Sequence, residues 1–350
     1  MTKPFEPRGV WPALATPFTD AGQIDLPAYE RLTRFVRAEG VTGVLPCGST
    51  GESPTLSWEE HDKLVVSAIE VTGDRAGVLA GTGSNNTDEA IAGSEDARKH
   101  GASAVLLVDC YYNGPSSLEL RRDYYERVLS ALPDIPVVPY IIPGRTGCAL
   151  GAEDLAMLHL ADPKRVPAVK QATGDLDRMR YDRALCGPSL AIMSGDDDLT
   201  LPMMSDPGIQ ATGGISVMAN LVPRALSEMV AARAAGEIGR AGEIISKINP
   251  LLRIVGVRAH STRVLPDGRE LRVEDKFRNP VPLKTMMAGL GMMGPHCRRP
   301  LGPMTAPAIG VCRDALRAVY ETAPEYLQSI EDHFDVRIAA RLDGDEFWRA

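Results

Sequence analysis

No apolar stretch of about 18 residues runs uninterrupted through this sequence, so no membrane-spanning helix is expected. Basic residues are in deficit, with 38 Lys and Arg against 46 Asp and Glu and a formal charge of −8. No basic stripe is interleaved with the few aromatics, which excludes the usual footprint of a nucleic-acid or anionic-membrane binder. Cysteine is sparse and unpatterned. Cys47, Cys110, Cys148, Cys186, Cys297 and Cys312 show no C-x-x-C spacing, which argues against a zinc site or disulfide frame and for free thiols in a reducing cytoplasm. The six histidines make no H-x-x-x-H pair, so no metal is expected. Repeats and low-complexity tracts are also missing.

What the chain does have is alternation. Short apolar runs at Val10–Ala15, Gly43–Pro46, Gly77–Ala80, Ala104–Val108, Pro136–Ile142, Val166–Lys170, Leu190–Met193 and Gly214–Val217 read as strands buried on both faces. Between them lie helical patterns with readable ends. Gly40 stops the segment carrying Leu26, Tyr29, Leu32 and Phe35 on one face, and Ser57 with Glu60, and Ser116 with Glu119, form capping boxes. Eight strands with intervening helices predict a TIM (β/α)8 barrel over 1–228, followed by a C-terminal helical domain over 229–350. Within that domain helices are expected at Ala231–Val255, Val281–Leu290 and Ala306–Ile330. Around 258–279 a hairpin-like insertion turns at Leu265–Arg269. A doubly wound sheet is the runner-up architecture.

Chemistry-bearing residues fall at strand ends, where a TIM barrel builds its site. Lys170 ends an apolar strand, and burial there favours the neutral amine, a nucleophile toward ketones. Thr50, Tyr112 and Tyr140 bring hydroxyls suited to passing a proton. Gly48, Ser49, Thr50 and Gly51 permit a tight loop with exposed amides, fit for a carboxylate or for a purely structural turn. Arg145 offers the bidentate geometry that carboxylates prefer. Gly81–Asn86 imitates a dinucleotide loop but lacks its third glycine. Asp196–Asp198 reads as a solvated or capping cluster, not a metal site.

In order, G-S-T-G-E at 48–52, Y-Y-N at 111–113, Y-I-I-P-G-R-T-G at 140–147, V-K-Q-A-T-G-D at 169–175 and S-G-D-D at 194–197 resemble the motifs of the dihydrodipicolinate synthase / N-acetylneuraminate lyase superfamily. The likeness covers roughly residues 8–250 and resumes at N-P-V-P-L-K, 279–284. It implies a pyruvate-dependent class I aldolase or lyase, with an imine on Lys170 and no other cofactor. Tyr140, Thr50 and Tyr112 would form a proton relay, Tyr112 arriving across a dimer interface. Ser49 and Thr50 would bind the pyruvate carboxylate, Gly195 and the Ile215 carbonyl would line the pocket, and Arg145 would hold the second substrate. That context favours aspartate 4-semialdehyde as the aldehyde, in lysine biosynthesis, in a homodimer or homotetramer. Ser53, Trp58, His61, Asn85, Glu89 and Tyr111 match the pocket through which lysine inhibits such synthases. Three departures bear on substrate identity: Ser49 for threonine, Ile141 for asparagine and Gln171 for glutamate. The insertion near 258–279 and the tail beyond about 330 have no counterpart in compact members. An aldolase or dehydratase of a 2-oxo sugar acid therefore stays open, as does a non-catalytic sensor on the same fold.

Overall fold

The structure, a computed structural model, describes residues 2–349. Eight parallel strands run β1 Gly9–Pro12, β2 Gly43–Val44, β3 Gly77–Gly81, β4 Ala104–Val108, β5 Val137–Ile141, β6 Ala168–Gln171, β7 Ala191–Ser194 and β8 Gly213–Ser216. They pair in the order β1-β8-β7-β6-β5-β4-β3-β2. The ring closes where the Leu45 amide donates to Pro12 O and the Leu14 amide to Leu45 O, each at 2.9 Å. This is the expected (β/α)8 barrel and not the doubly wound alternative.

Alternation along each strand divides the core in two. One set, including Trp11, Leu45, Leu79, Leu106, Tyr140, Met193 and Ile215, fills the barrel interior. The other set packs the strands against the helices. Trp11 occupies the interior because its neighbours leave room. A Cβ on Gly43 would lie 2.1 Å from the indole, and one on Gly77 would lie 2.6 Å away. The Phe5 ring sits 5.2 Å from the indole, on the N-terminal segment that bonds to the β3 and β4 approaches through Lys3. The floor of the barrel is therefore filled by side chains.

Both capping boxes form as read, with Ser57 and Ser116 each accepting an amide while Glu60 and Glu119 reach back. The eighth strand is followed by a helix at Pro223–Ala234, so the expected boundary at 228/229 falls inside an element. The C-terminal helices share one continuous apolar core with the barrel's helical layer. The long helix expected at Ala231–Val255 is two, because Gly236 (φ +83°) breaks the chain before Ile238–Leu252. Likewise Ala306–Ile330 ends at Thr322, since Pro324 lacks the amide needed to continue, and Gln328–Phe334 follows.

The insertion is a two-stranded antiparallel ribbon, β9 Gly256–Val264 and β10 Glu270–Arg278, in unbroken register. Its turn is the one expected: Gly268 (φ +88°) donates to Leu265 O at 2.9 Å. Val257 and Ala259 bury its base, while Val264 and Leu271 stay exposed near the tip.

Candidate active site

Tyr140 and Lys170 are paired partners on β5 and β6, so both side chains enter the barrel interior. The Lys170 Nζ lies 4.1 Å from the Tyr140 ring centroid. Both residues are buried. Burial pulls the Lys170 amine down to about 8, and attraction from Asp197 and Asp196 opposes it. Burial pushes the Tyr140 phenol up to about 12, with Arg145 and the facing Ser49 hydroxyl favouring the phenolate. The result is an amine that gives up its proton more readily than an ordinary lysine, beside a phenol that holds its own more tightly than an ordinary tyrosine.

Gly195 is required at its position. A Cβ there would stand 3.0 Å from Lys170 Cε and 2.8 Å from the Ala172 Cβ. Ile215 is buried in the same interior set. A cavity of about 610 Å3 opens above, reaching Ser49, Tyr140 and Arg145 and bounded on one side by Lys276–Val281.

Thr50 is buried and its Oγ1 accepts from Asn279 Nδ2 at 3.0 Å. With its lone pair so engaged, the Thr50 hydroxyl has its own proton to donate onward. Asn279 also fixes Arg145, whose Nη2 donates to the Asn279 carbonyl at 2.7 Å. The sequence signal for Asn279 was the resumed N-P-V-P-L-K motif, although no role was read from it.

Asp197 departs from the expected solvated or capping part. It is buried, and its Oδ2 accepts from the Val217 and Met218 amides at 3.1 and 3.0 Å, tying the end of β7 to that of β8. Asp196 is raised to about 6 by burial, and attraction from Lys170 works against the rise. These two carboxylates set the field at the amine, and only folding shows it.

Tyr112 is not brought to Lys170 within the chain. It is 89% exposed and holds φ at +81°, projecting from the loop after β4. Asp109, buried at the root of that loop, accepts from Tyr125 Oη at 2.6 Å and from the Leu150 amide at 3.1 Å. The loop's base is thereby fixed, and the Tyr112 amide donates to Thr146 O at 3.4 Å while its side chain stays exposed.

Ile141 and Gln171 point away from the cavity. Ile141 joins the outer core, and Gln171 bonds Asp182 on the following helix. Their departure from the superfamily pattern therefore does not touch the reacting groups.

Beneath the 48–52 loop lies a buried ion pair. Lys284 Nζ donates to Glu52 Oε1 at 2.5 Å and to Thr16 O at 2.8 Å, while the Arg298 amide donates to Glu52 Oε2 at 2.8 Å. Glu52 adopts φ +60° to reach this position, which shapes the loop carrying Ser49 and Thr50.

Of the residues matching a lysine pocket, Ser53, Trp58 and His61 cluster. The His61 Nε2 lies 3.3 Å from Ser53 Oγ, and its ring is 4.7 Å from that of Trp58. Burial lowers the His61 pKa, favouring the neutral ring. Glu89 accepts from Ser84 Oγ at 2.7 Å, and Asn85 lies 3.5 Å from the same hydroxyl. Trp58 packs on the helix Thr87–His100, which carries Glu89, by filling the space over Gly93, where a Cβ would be 2.3 Å from the indole. Tyr111, its pKa raised by burial and by Glu89, lines the main cavity with Ser53.

Residues 6–318 match the Dihydrodipicolinate synthetase family. A 4-hydroxy-tetrahydrodipicolinate synthase of Methanothrix thermoacetophila is 39% identical over 310 residues, spanning 88% of this chain and 96% of that one. Among solved structures, the chain is similar to a chloride-inhibited dihydrodipicolinate synthase from Acinetobacter baumannii complexed with pyruvate. That likeness has a TM-score of 0.79 and 31% identity, and covers 90% of this chain and 99% of the other. A dihydrodipicolinate synthase from Cyanidioschyzon merolae with lysine bound gives a TM-score of 0.78 at 30% identity, covering 89% and 98%.

Proposed function

The chain belongs to the dihydrodipicolinate synthetase family, and from that premise we propose that it condenses pyruvate with aspartate 4-semialdehyde to 4-hydroxy-tetrahydrodipicolinate. It is a class I aldolase-type lyase of lysine biosynthesis. The observation that carries the reading is the paired placement of Lys170 and Tyr140 inside the barrel mouth.

The neutral Lys170 amine attacks C2 of pyruvate, and loss of water leaves a protonated imine on Nζ. The Ser49–Thr50 loop holds the pyruvate carboxylate. Loss of a C3 proton gives the enamine, whose carbon attacks the aldehyde. The aldehyde substrate's own amine then displaces Lys170 by transimination, closing the ring and freeing the enzyme. Tyr140 and Thr50 carry protons through these steps, and Tyr112 of a second copy completes the relay, which accounts for its exposed, strained position. The assembly is a dimer or a pair of dimers, working in the cytoplasm without a metal. Lysine binds at Ser53, Trp58, His61, Asn85, Glu89 and Tyr111.

Borohydride reduction in the presence of pyruvate tests the covalent step. A three-carbon acid should be fixed to the peptide containing Lys170, and to no peptide in Lys170→Ala. An intact mass without the adduct, or an adduct on another lysine, would overturn the reading.

A further inference from the structure

The cavity is bounded by three cationic side chains, Arg145, Lys276 and Arg278, and by a single acid, Glu52. That acid is already committed to Lys284 and the Arg298 amide. The acids of the ribbon are committed too: Glu274 pairs with Arg258, and Asp275 with Arg263. Among the described residues none of the three cations is paired with a carboxylate. Lys276 stands directly across the ribbon from Arg258, whose own partner is Glu274, and that carboxylate is therefore not left for Lys276.

The two arginines are locked to each other's backbone. Arg278 Nη1 donates to Gly144 O at 3.0 Å, beside Arg145, while Arg145 Nη2 donates to Asn279 O, beside Arg278. Each guanidinium has five N–H donors, so each keeps others for a ligand. Holding two guanidiniums together costs electrostatic energy, and a carboxylate between them recovers it. Burial lowers the Arg145 pKa, Tyr140 works against that, and the Arg278 charge adds a smaller push downward.

We propose that Arg278, delivered to the cavity by the inserted β9–β10 ribbon, is a specificity-determining residue that binds the carboxylate of the aldehyde substrate jointly with Arg145. Lys276 adds to the attractive field at the mouth. The ribbon is thus part of the substrate site. This inference rests on the reading of the site as one that takes a carboxylate-bearing aldehyde after pyruvate.

The test compares wild type with Arg278→Gln and Arg278→Lys. Glutamine removes the charge, and its shorter side chain also releases Gly144 O, so Arg278→Lys, which keeps a cation, separates the two losses. The KM for aspartate 4-semialdehyde should rise roughly tenfold in Arg278→Gln, as for loss of one charge-assisted hydrogen bond. The pyruvate KM should stay within about twofold, and lysine at 278 should restore part of the loss. Binding of succinic semialdehyde, an aldehyde with the carboxylate and no amine, should weaken in parallel, whereas butanal binding should not. Equal semialdehyde KM and equal succinic semialdehyde affinity in wild type and Arg278→Gln overturn the proposal. Borohydride trapping run alongside separates the two ideas. No pyruvate adduct on wild-type Lys170 defeats the functional reading, while the succinic semialdehyde titration still decides whether Arg278 binds a carboxylate.

Discussion

Replacing Lys170 by methionine should abolish turnover and yet make the folded protein more stable at neutral pH. The amine is pulled from 10.5 to about 8 chiefly by burial. That displacement corresponds to about 3 kcal/mol by which folding disfavours the ammonium. Below pH 8 both folded and unfolded chains carry the charge, and the whole penalty applies. Between pH 8 and 10.5 the unfolded chain keeps a proton that the folded chain has released, so wild-type stability gains on the variant as pH rises. Above 10.5 the penalty is gone. Methionine matches the stem in length and lacks the charge, so the variant escapes the penalty throughout. Asp196 takes back part of the gain, because it ionises less readily without Lys170 nearby. For 350 residues the unfolding entropy is about 0.7 kcal/mol per kelvin, so 3 kcal/mol translates into roughly 4 °C. Thermal denaturation of both proteins from pH 6 to 10 is the assay. The variant should melt higher at pH 7, and the gap should close toward pH 10. A variant melting at or below wild type at pH 7, or a gap independent of pH, would show that Asp196 and Asp197 stabilise the ammonium more than burial penalises it.

Three further outcomes are expected. Lys284→Met strands the buried Glu52 carboxylate and should destabilise by about 3–5 kcal/mol in thermal melts, with Glu52→Gln added to it restoring much of the loss. Asn279→Ala removes the donor to Thr50 Oγ1 and should lower kcat by roughly tenfold, as for one hydrogen bond lost in a transition-state network, while the pyruvate adduct on Lys170 still forms. Millimolar lysine should depress the initial rate at sub-saturating pyruvate, and Glu89→Ala should remove the effect; an uninhibited wild type would exclude a regulatory pocket there.

The barrel was legible because buried parallel strands leave unbroken apolar runs, and capping boxes announce where helices begin. Lys170 drew notice because it closes such a run, and Tyr140 because it lies near the C-terminal end of another. Element ends were read less well where one residue decides them, as at Gly236 and Pro324, since helical periodicity alone continues past a break. Asp197 was misread because three adjacent acids look solvated in one dimension. Burial and two amides just past the next strand make it a tie between strand ends. Asn279 and Arg278 escaped for another reason. Their partners, Thr50 and Gly144, lie 229 and 134 residues away, and no local pattern encodes such a meeting. The departures at Ile141 and Gln171 carried more weight in the sequence than in the fold, where strand alternation turns both outward.

The Trp11 plug has a consequence for traffic. With indole and phenyl rings filling the floor, the barrel is closed at that end, and the cavity that reaches Ser49, Tyr140 and Arg145 opens at the other. In the proposed reaction pyruvate enters before the aldehyde, and the cyclised product leaves by the same mouth. The base of the ribbon borders that shared doorway, so a residue there that tightens the grip on an anionic guest also delays the exit of an anionic product.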